Sequence, residues 1–184
     1  GRAMAKLGEV GKLSLLIVGS EGDPISTARV DFKRDDKSIP AYPDDKGLIE
    51  IDLPIGEWKL TAADNGREKV DSVILLTKKE TTQKTISMSA QSGIDFTITK
   101  EDGSPTPCKA QIIGIDDTLS PKLGPVDRAH GCVDQYHSEN GKFSIGLAPG
   151  KYRIVITRGI EHDHFEKQVE ILKGKFESVK TALI

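Results

Sequence analysis

Apolar and polar residues alternate along much of this chain, a pattern that predicts β-strands. Residues 13–18 are mostly apolar, residues 20–24 are rich in turn formers, and residues 28–33 alternate apolar with charged side chains. The simplest arrangement of the two strand segments is a hairpin with one face in water. No convincing helical stripe of roughly twelve or more residues is present, so an all-β fold is expected.

The next alternating segments predict a second hairpin. Residues 47–53 and 58–62 both alternate, with Pro54-Ile55-Gly56 between them, whereas the stretch containing Pro40 and Pro43 is expected to be a polar loop. Turn signals recur about every eight to twelve residues, a spacing typical of β-sandwiches and barrels. Two further strand segments follow in this half, at residues 70–76 and 81–88.

The second half of the chain repeats the first. Residues 47–60 match residues 141–154 at a constant offset of 94. Earlier in each copy, Ala28-Arg29-Val30 matches Ala110-Gln111-Ile112 at an offset of 82. A change of offset inside an otherwise matching repeat indicates an insertion between the two matched stretches of copy two.

The repeat predicts two tandem small antiparallel β-sandwiches of about six to seven strands each. Copy one spans residues 1–90 and copy two spans residues 91–184, with an inserted loop of about twelve residues within 116–136. Trp58 and Tyr152 each follow the glycine of an equivalent tight turn. Because aromatic residues make up only 5% of the chain, we expect both to anchor their hydrophobic cores.

The inserted loop at 116–136 is the first candidate binding site. Long loops on a rigid sandwich often carry function. Charged and aromatic residues that such a site could use are Asp127, Arg128, His130 and Tyr136. A tolerated surface insertion without function accounts for the same residues, and the sequence leaves the two explanations open.

Charge and hydropathy exclude several classes of partner. Lys and Arg total 26 and Asp and Glu total 28, so a net charge of −2 gives no electrostatic basis for binding nucleic acid or an anionic membrane. No apolar run approaches the ~20 residues of a membrane-spanning helix, so we expect no membrane insertion, and the residues ahead of the first strand do not show the apolar run expected of a secretion signal. Phosphate-binding loops, nucleophile elbows and paired carboxylates are missing, so we expect no cofactor and no enzymatic activity in this segment.

Cys108 and Cys132 are the two cysteines of the chain. Cys108 begins a predicted strand, and Cys132 lies in the inserted loop. In an oxidising compartment a disulfide between them would pin the insertion to the sheet and contribute about 2–4 kcal/mol. Two free thiols are the alternative.

His162 and His164 form the His-x-His pair of this chain, with Glu161 beside them. Histidines two apart on a strand lie on one face and can share a metal ion, with a carboxylate as third ligand. These residues follow the Tyr152 strand, and no further ligand cluster follows them. The sequence therefore favours a solvated strand end over a metal site.

The motifs of both copies resemble the carboxypeptidase regulatory-like, or prealbumin-like, β-sandwich. Each copy has a strand, a turn such as Gly103-Ser104-Pro105, an Ala-x-Val-type strand, and a Gly…Leu-x-x-Gly-x-(Tyr/Trp) segment such as residues 141–152. The resemblance implies an Ig-like sandwich that serves as a non-catalytic accessory domain of secreted and surface proteins.

Copy two also resembles a narrower family. Its residues 148–161 are similar to the sandwich that precedes the catalytic domain in CehA/McbA-type metallohydrolases of the PHP superfamily, most specifically at Arg158-Gly159-Ile160-Glu161. The resemblance implies that a metal-dependent hydrolase domain follows about where this chain ends. Arg158, Gly159 and Glu161 would then brace that domain, or Arg158 and Glu161 would form a local ion pair that holds their own turn.

Two functions from different classes follow from these resemblances. The first is a non-catalytic accessory segment of a larger, exported protein, whose partner is a PHP-type hydrolase domain of the same parent chain. The second is a surface or adhesion-type module that binds carbohydrate or protein through the loop at 116–136. Both place the protein outside the cytoplasm, at a cell surface, in a periplasm or in the medium.

Overall fold

The computed structural model describes residues 8–78, 80–123, 134–159 and 164–184. The chain divides into two compact units, Gly1–Ala90 (unit 1) and Gln91–Ile184 (unit 2). The described residues form fourteen β-strands in four sheets and contain no helix. The predicted all-β fold of tandem sandwiches is therefore confirmed.

Unit 1 is a seven-stranded sandwich. A three-stranded sheet has the order β4-β1-β7, with β1 parallel to β7, and a four-stranded antiparallel sheet has the order β3-β2-β5-β6. The strands are β1 (Val10–Val18), β2 (Arg29–Arg34), β3 (Lys37–Ala41), β4 (Leu48–Pro54), β5 (Gly56–Ala63), β6 (Val70–Leu76) and β7 (Thr82–Ser87).

Unit 2 has the same topology. Its three-stranded sheet has the order β11-β8-β14, with β8 parallel to β14, and its four-stranded antiparallel sheet has the order β10-β9-β12-β13. The strands are β8 (Gly93–Lys100), β9 (Cys108–Gly114), β10 (Gln135–Ser138), β11 (Lys142–Gly146), β12 (Gly150–Thr157), β13 (Phe165–Ile171) and β14 (Phe176–Leu183).

Alternation along the strands builds one hydrophobic core in each unit. In β1, for example, Leu13, Leu15 and Ile17 are buried while the residues between them are more exposed. Trp58 and Tyr152 are each only 1% exposed, as predicted for core anchors. Burial of large aliphatic and aromatic side chains between two sheets is the main stabilising term in such small sandwiches.

Both predicted hairpins are wrong. Strands β1 and β2 lie in opposite sheets of unit 1, and so do β4 and β5. The turn segment at 54–56 therefore crosses from one sheet to the other. Two strands show the same alternation of buried and exposed residues whether they pair within one sheet or pack face to face in two sheets. The period-2 pattern therefore cannot distinguish a hairpin from a crossing between sheets.

The predicted polar loop around Pro40 contains a strand. Strand β3 pairs with β2, and Pro40 tolerates this place because β3 is the edge of its sheet. Asp35 and Asp36 alone link β2 to β3, whereas residues 115–134 link β9 to β10. The insertion of copy two therefore enlarges this particular link.

The strand pairing also corrects the alignment of the repeat. Val30 pairs with Ala62 in unit 1, and Ala110 pairs with Ile156 in unit 2. Since Ala62 and Ile156 are equivalent at the offset of 94, the equivalent of Val30 is Ala110, not Ile112. A shift by two residues keeps every side chain on the same face, so the hydrophobic pattern did not reveal it.

The match between the units extends to individual hydrogen bonds. The Trp58 indole Nε1–H donates to the carbonyl of Pro54 at 2.8 Å, and the Tyr152 hydroxyl donates to the carbonyl of Ala148 at 2.7 Å. Each aromatic residue thus satisfies its polar atom four residues back while its ring fills the core. Burial raises the pKa of the Tyr152 phenol, because the ionised form would lose its hydration.

Candidate functional site

The base of the insertion is attached to the first residues of β12. The Ile115 amide donates to the carbonyl of Lys151 at 3.0 Å, and the Lys151 amide donates to Thr118 Oγ1 at 3.0 Å. A Cβ atom on Gly150 would lie 2.6 Å from Thr118 Oγ1, so glycine permits this close approach. The other end is attached as well, since the Ile112 amide donates to the carbonyl of Asp134 at 2.9 Å.

Of the candidate binding residues of the insertion, only Tyr136 is among the residues that the structure describes. Asp127, Arg128 and His130 lie outside the described residues. Tyr136 lies in strand β10, where its ring stacks on Phe143 with centroids 4.8 Å apart. Its exposed fraction is 37%, so its ring contributes to the edge of the sandwich and keeps one side accessible.

A groove of about 580 Å³ lies at the end of the four-stranded sheet of unit 2. It forms where β9 begins and where β10 and β12 end, and we call it the β9–β10–β12 groove. Its nine lining residues are Pro107, Cys108, Lys109, His137, Ser138, Glu139, Thr157, Arg158 and Gly159. Pro107 and Cys108 give it an apolar part, and the ionisable side chains surround that part.

Three basic side chains meet at this groove. Register places His137 directly opposite Lys109, and Lys109 directly opposite Thr157, so these three lie in one row across three strands. Arg158 follows Thr157 at the end of the row. Within the described part of the chain, the side chains of Lys109, His137 and Arg158 have no ion-pair or hydrogen-bond partner.

The equivalent corner of unit 1 is closed by its own charges. Asp64 takes the place of Arg158 at the offset of 94. Its carboxylate accepts hydrogen bonds from Thr27 Oγ1 at 2.9 Å and from Arg67 Nε at 3.0 Å, and Arg67 Nη1 donates to the carbonyl of Ser89 at 2.8 Å. The Asp64 side chain is only 3% exposed. Equivalent positions thus carry opposite charges in the two units. In unit 1 the negative charge of Asp64 is paired with Arg67 of the same unit.

Cys108 lines the groove but is itself buried, at 6% exposure. Burial raises the pKa of its thiol, because the thiolate would be poorly solvated. The protonated thiol is a weak nucleophile, so Cys108 is suited to packing rather than to catalysis. The proposed partner, Cys132, lies outside the described residues, and the disulfide stays a prediction.

The His-x-His hypothesis falls at the same end of the sheet. His164 is exposed and directly precedes β13, while Glu161 and His162 lie outside the described residues. Among the residues that the structure describes, no group of three or more His, Cys, Asp or Glu side chains could hold a metal ion. A metal site at His162 and His164 therefore stays a prediction.

The structure brings together residues that the sequence had treated separately. Arg158, Gly159 and Cys108 were candidates for different roles, and all three line one groove. Lys109, His137 and Glu139 were missed because only strand pairing brings them beside Arg158. The change from Asp64 to Arg158 within the repeat was the available sequence signal, since it reverses a charge at an otherwise equivalent position.

No protein-family model matches this chain, and no curated protein matches it either. Solved structures that resemble it include the Bacillus anthracis TIE protein, at 16% identity and a TM-score of 0.44, with 95% of this chain and 34% of that chain covered. Shaft pilin spaA from Lactobacillus rhamnosus GG is 11% identical with a TM-score of 0.48, and 95% of this chain and 98% of that chain are covered.

A third similar structure is a DUF3823 family protein from Bacteroides ovatus, at 11% identity and a TM-score of 0.38, covering 90% of this chain and 99% of that one. This chain spans about a third of the length of the TIE protein chain. At these identities and TM-scores the similarities say nothing about ligand or activity. Among the described residues, no helix is long and apolar enough to cross a membrane.

Proposed function

We propose that this chain is a non-catalytic β-sandwich module of an exported protein, and that unit 2 binds protein or carbohydrate through the insertion at 116–136. The observation that supports this proposal is the contrast between the two links. Unit 1 connects β2 to β3 with Asp35 and Asp36, whereas unit 2 uses residues 115–134 in the same topological place. A rigid sandwich that enlarges one link is the usual design of a binding module.

The base of the insertion supports a binding role over a neutral one. Its first residues are held on β12 by hydrogen bonds through Ile115 and Thr118, and Leu123 packs against the core of unit 2. The exposed ion pair between Lys151 and Asp116, at 3.5 Å, adds little free energy because both side chains are well hydrated. Fixed points of attachment at the base lower the entropy cost of ordering an insertion on a partner.

The finer assignment, an accessory segment of a PHP-type metallohydrolase, is our second hypothesis. It rests on the resemblance at Arg158-Gly159-Ile160-Glu161 and on Arg158 having no acidic partner in the described part of the chain. In that case the groove beside Arg158 would face the neighbouring domain. The hydrolase domain itself would lie outside this sequence.

The test compares the full chain with a variant in which residues 124–133 are replaced by a short Gly-Ser linker, so that Leu123 stays packed against the core. Biotinylated protein is applied to arrays of neutral and acidic polysaccharides and to immobilised collagen, fibrinogen and mucin. We expect the full chain to bind at least one of these targets, and we expect the linker variant to lose about tenfold or more in affinity. The double variant Asp35→Asn/Asp36→Asn, which alters the equivalent link of unit 1, should bind like the parent chain.

Three results would contradict the proposal. One is binding that survives removal of the insertion, and another is a complete lack of binding across the arrays. The third is metal-dependent turnover of phosphodiester, ester or carbamate substrates that a chelator and His162→Ala both abolish. Far-UV circular dichroism of the linker variant confirms that its sandwich is folded, so loss of binding can be assigned to the insertion.

A further inference from the structure

We propose that the β9–β10–β12 groove is a second binding site, separate from the insertion, and that it accepts an extended acidic peptide. The groove lies where β12 ends, whereas the described base of the insertion is attached where β12 begins, at the opposite end of the strand. The inference does not depend on what the insertion binds.

The charge of the groove selects an anionic ligand. Lys109, His137 and Arg158 line it without ion-pair partners in the described residues, and Glu139 is the one acidic residue among the described residues that line it. An unpaired guanidinium at a partly closed surface forms charge-assisted hydrogen bonds with carboxylates, and Arg binds them in a bidentate way. At the equivalent corner of unit 1 the guanidinium of Arg67 already has a carboxylate partner, since its Nε lies 3.0 Å from the Asp64 carboxylate.

The shape and backbone of the groove favour a peptide. Strand β10 is the edge of its sheet, and among the described residues no strand pairs with its outer side. Antiparallel pairs alternate between hydrogen-bonded and non-hydrogen-bonded residues. Because Ile112 donates to the carbonyl of Asp134, the backbone groups of His137 point away from β9 and are available to hydrogen-bond one end of a bound peptide.

The apolar part of the groove sets a second requirement. Pro107 and Cys108 lie beside the basic side chains and offer a surface for an aliphatic side chain. A peptide that runs across the strand ends from β10 toward β12, and that alternates acidic and aliphatic residues, would place carboxylates toward Lys109 and Arg158 and aliphatic groups toward Pro107. A sulfated polysaccharide would use the charges but neither the apolar surface nor the free backbone groups of β10.

The test measures fluorescence anisotropy of a fluorescein-labelled peptide, Glu-Leu-Glu-Val-Glu-Leu, titrated with the full chain. We expect saturable binding, and we expect Arg158→Gln and Lys109→Gln each to weaken it about tenfold. Lys180→Gln removes an exposed charge from β14, on the other sheet, and should leave the Kd within about twofold of the parent. The labelled peptide with Gln in place of Glu should not bind.

Other outcomes would overturn the assignment. Equal affinity for the Glu and Gln peptides, or equal losses for Arg158→Gln and Lys180→Gln, would exclude charge recognition in this groove. A sulfated oligosaccharide that binds more tightly than the peptide with the same dependence on Arg158 would replace the peptide as ligand. If Arg158→Gln fails to fold by circular dichroism, Lys109→Gln still decides the question. Removal of the insertion should leave peptide binding unchanged, which distinguishes this site from the one proposed above.

Discussion

The two units show what a repeated sandwich keeps and what it varies. Both keep the same sheet orders and a buried aromatic residue that donates to a carbonyl four residues earlier. Two of their differences lie at the ends of the four-stranded sheet, namely the link after the second strand of the unit and the corner occupied by Asp64 or Arg158. The shared features stabilise the fold. The features that differ are not needed for the common fold, so they can vary and can form binding sites.

The corner residues illustrate this most clearly. In unit 1, Asp64 and Arg67 form a pair whose side chains are 3% and 12% exposed, so the charge of this corner is neutralised within the unit. In unit 2, Arg158 and Lys109 line the same groove, so two positive charges lie at this corner. The described part of unit 2 has no counterpart of the Asp64–Arg67 ion pair at this corner, so unit 2 is the better candidate for recognition of an anionic partner.

The largest effects are expected at the shared aromatic residues. Trp58→Ala and Tyr152→Ala should each lower the free energy of unfolding of their own unit by about 3–5 kcal/mol, since each leaves a large cavity and an unpaired carbonyl. Urea unfolding followed by far-UV circular dichroism measures this loss. Trp58 is the only tryptophan of the chain, so its fluorescence reports on unit 1 and should show an unchanged transition in Tyr152→Ala. A loss below about 1 kcal/mol in either variant would show that the two residues are not equivalent anchors.

A smaller effect is expected at the shared turn glycines. Gly47 and Gly141 have φ angles of 76° and 75°, and an added Cβ would collide with the carbonyl oxygens of Ile17 and Ile98. Gly47→Ala and Gly141→Ala should therefore each cost about 2–4 kcal/mol in urea unfolding, from backbone strain and steric overlap together.

Gly22 provides the matched control for these turns. Its φ is 82°, but an added Cβ would meet nothing within 4 Å. Gly22→Ala should therefore cost only the backbone term, about 1–2 kcal/mol. Similar losses for Gly22→Ala and Gly47→Ala would mean that the close approach to Ile17 is relieved by a small shift of the strand.

The smallest effect tests the difference between the corners. Arg67→Gln should destabilise unit 1 by about 1.5–3 kcal/mol, because it removes charge-assisted hydrogen bonds to the buried Asp64 and to the carbonyl of Ser89. Arg158→Gln should change the stability of unit 2 by less than about 0.5 kcal/mol, as expected for a half-buried side chain that has no ion-pair or hydrogen-bond partner among the described residues. Thermal or urea unfolding of both variants measures the contrast. A large loss in Arg158→Gln would reveal an internal role for Arg158 and weaken the case for a binding site.

The sequence predicted where the strands lie along the chain better than which strands pair with each other. Alternation located most of the strands and the two buried aromatic residues, because each strand shows its buried face directly in its own residues. It failed for β3, since Pro40 is a turn signal in most contexts and only an edge position makes it compatible with a strand. It also failed for both hairpins, since pairing within a sheet and packing between sheets leave the same pattern.

The candidate site was only partly predictable for a similar reason. Arg158 and Cys108 stood out in the sequence, but His137 and Lys109 are ordinary polar residues on strands far apart in the chain. Register places them in one row, and register depends on the turns and on the packing of the whole sheet.

The sequence by itself determined the all-β class, the tandem repeat and the residues that fill each core, because these follow from side-chain periodicity and local turn chemistry. The tertiary structure alone decided which strands share a sheet, which residues of the two units are equivalent in β2 and β9, and which charges meet at the end of β12. Those features depend on hydrogen bonds and contacts between distant segments, and such contacts leave no periodic signal in a single sequence.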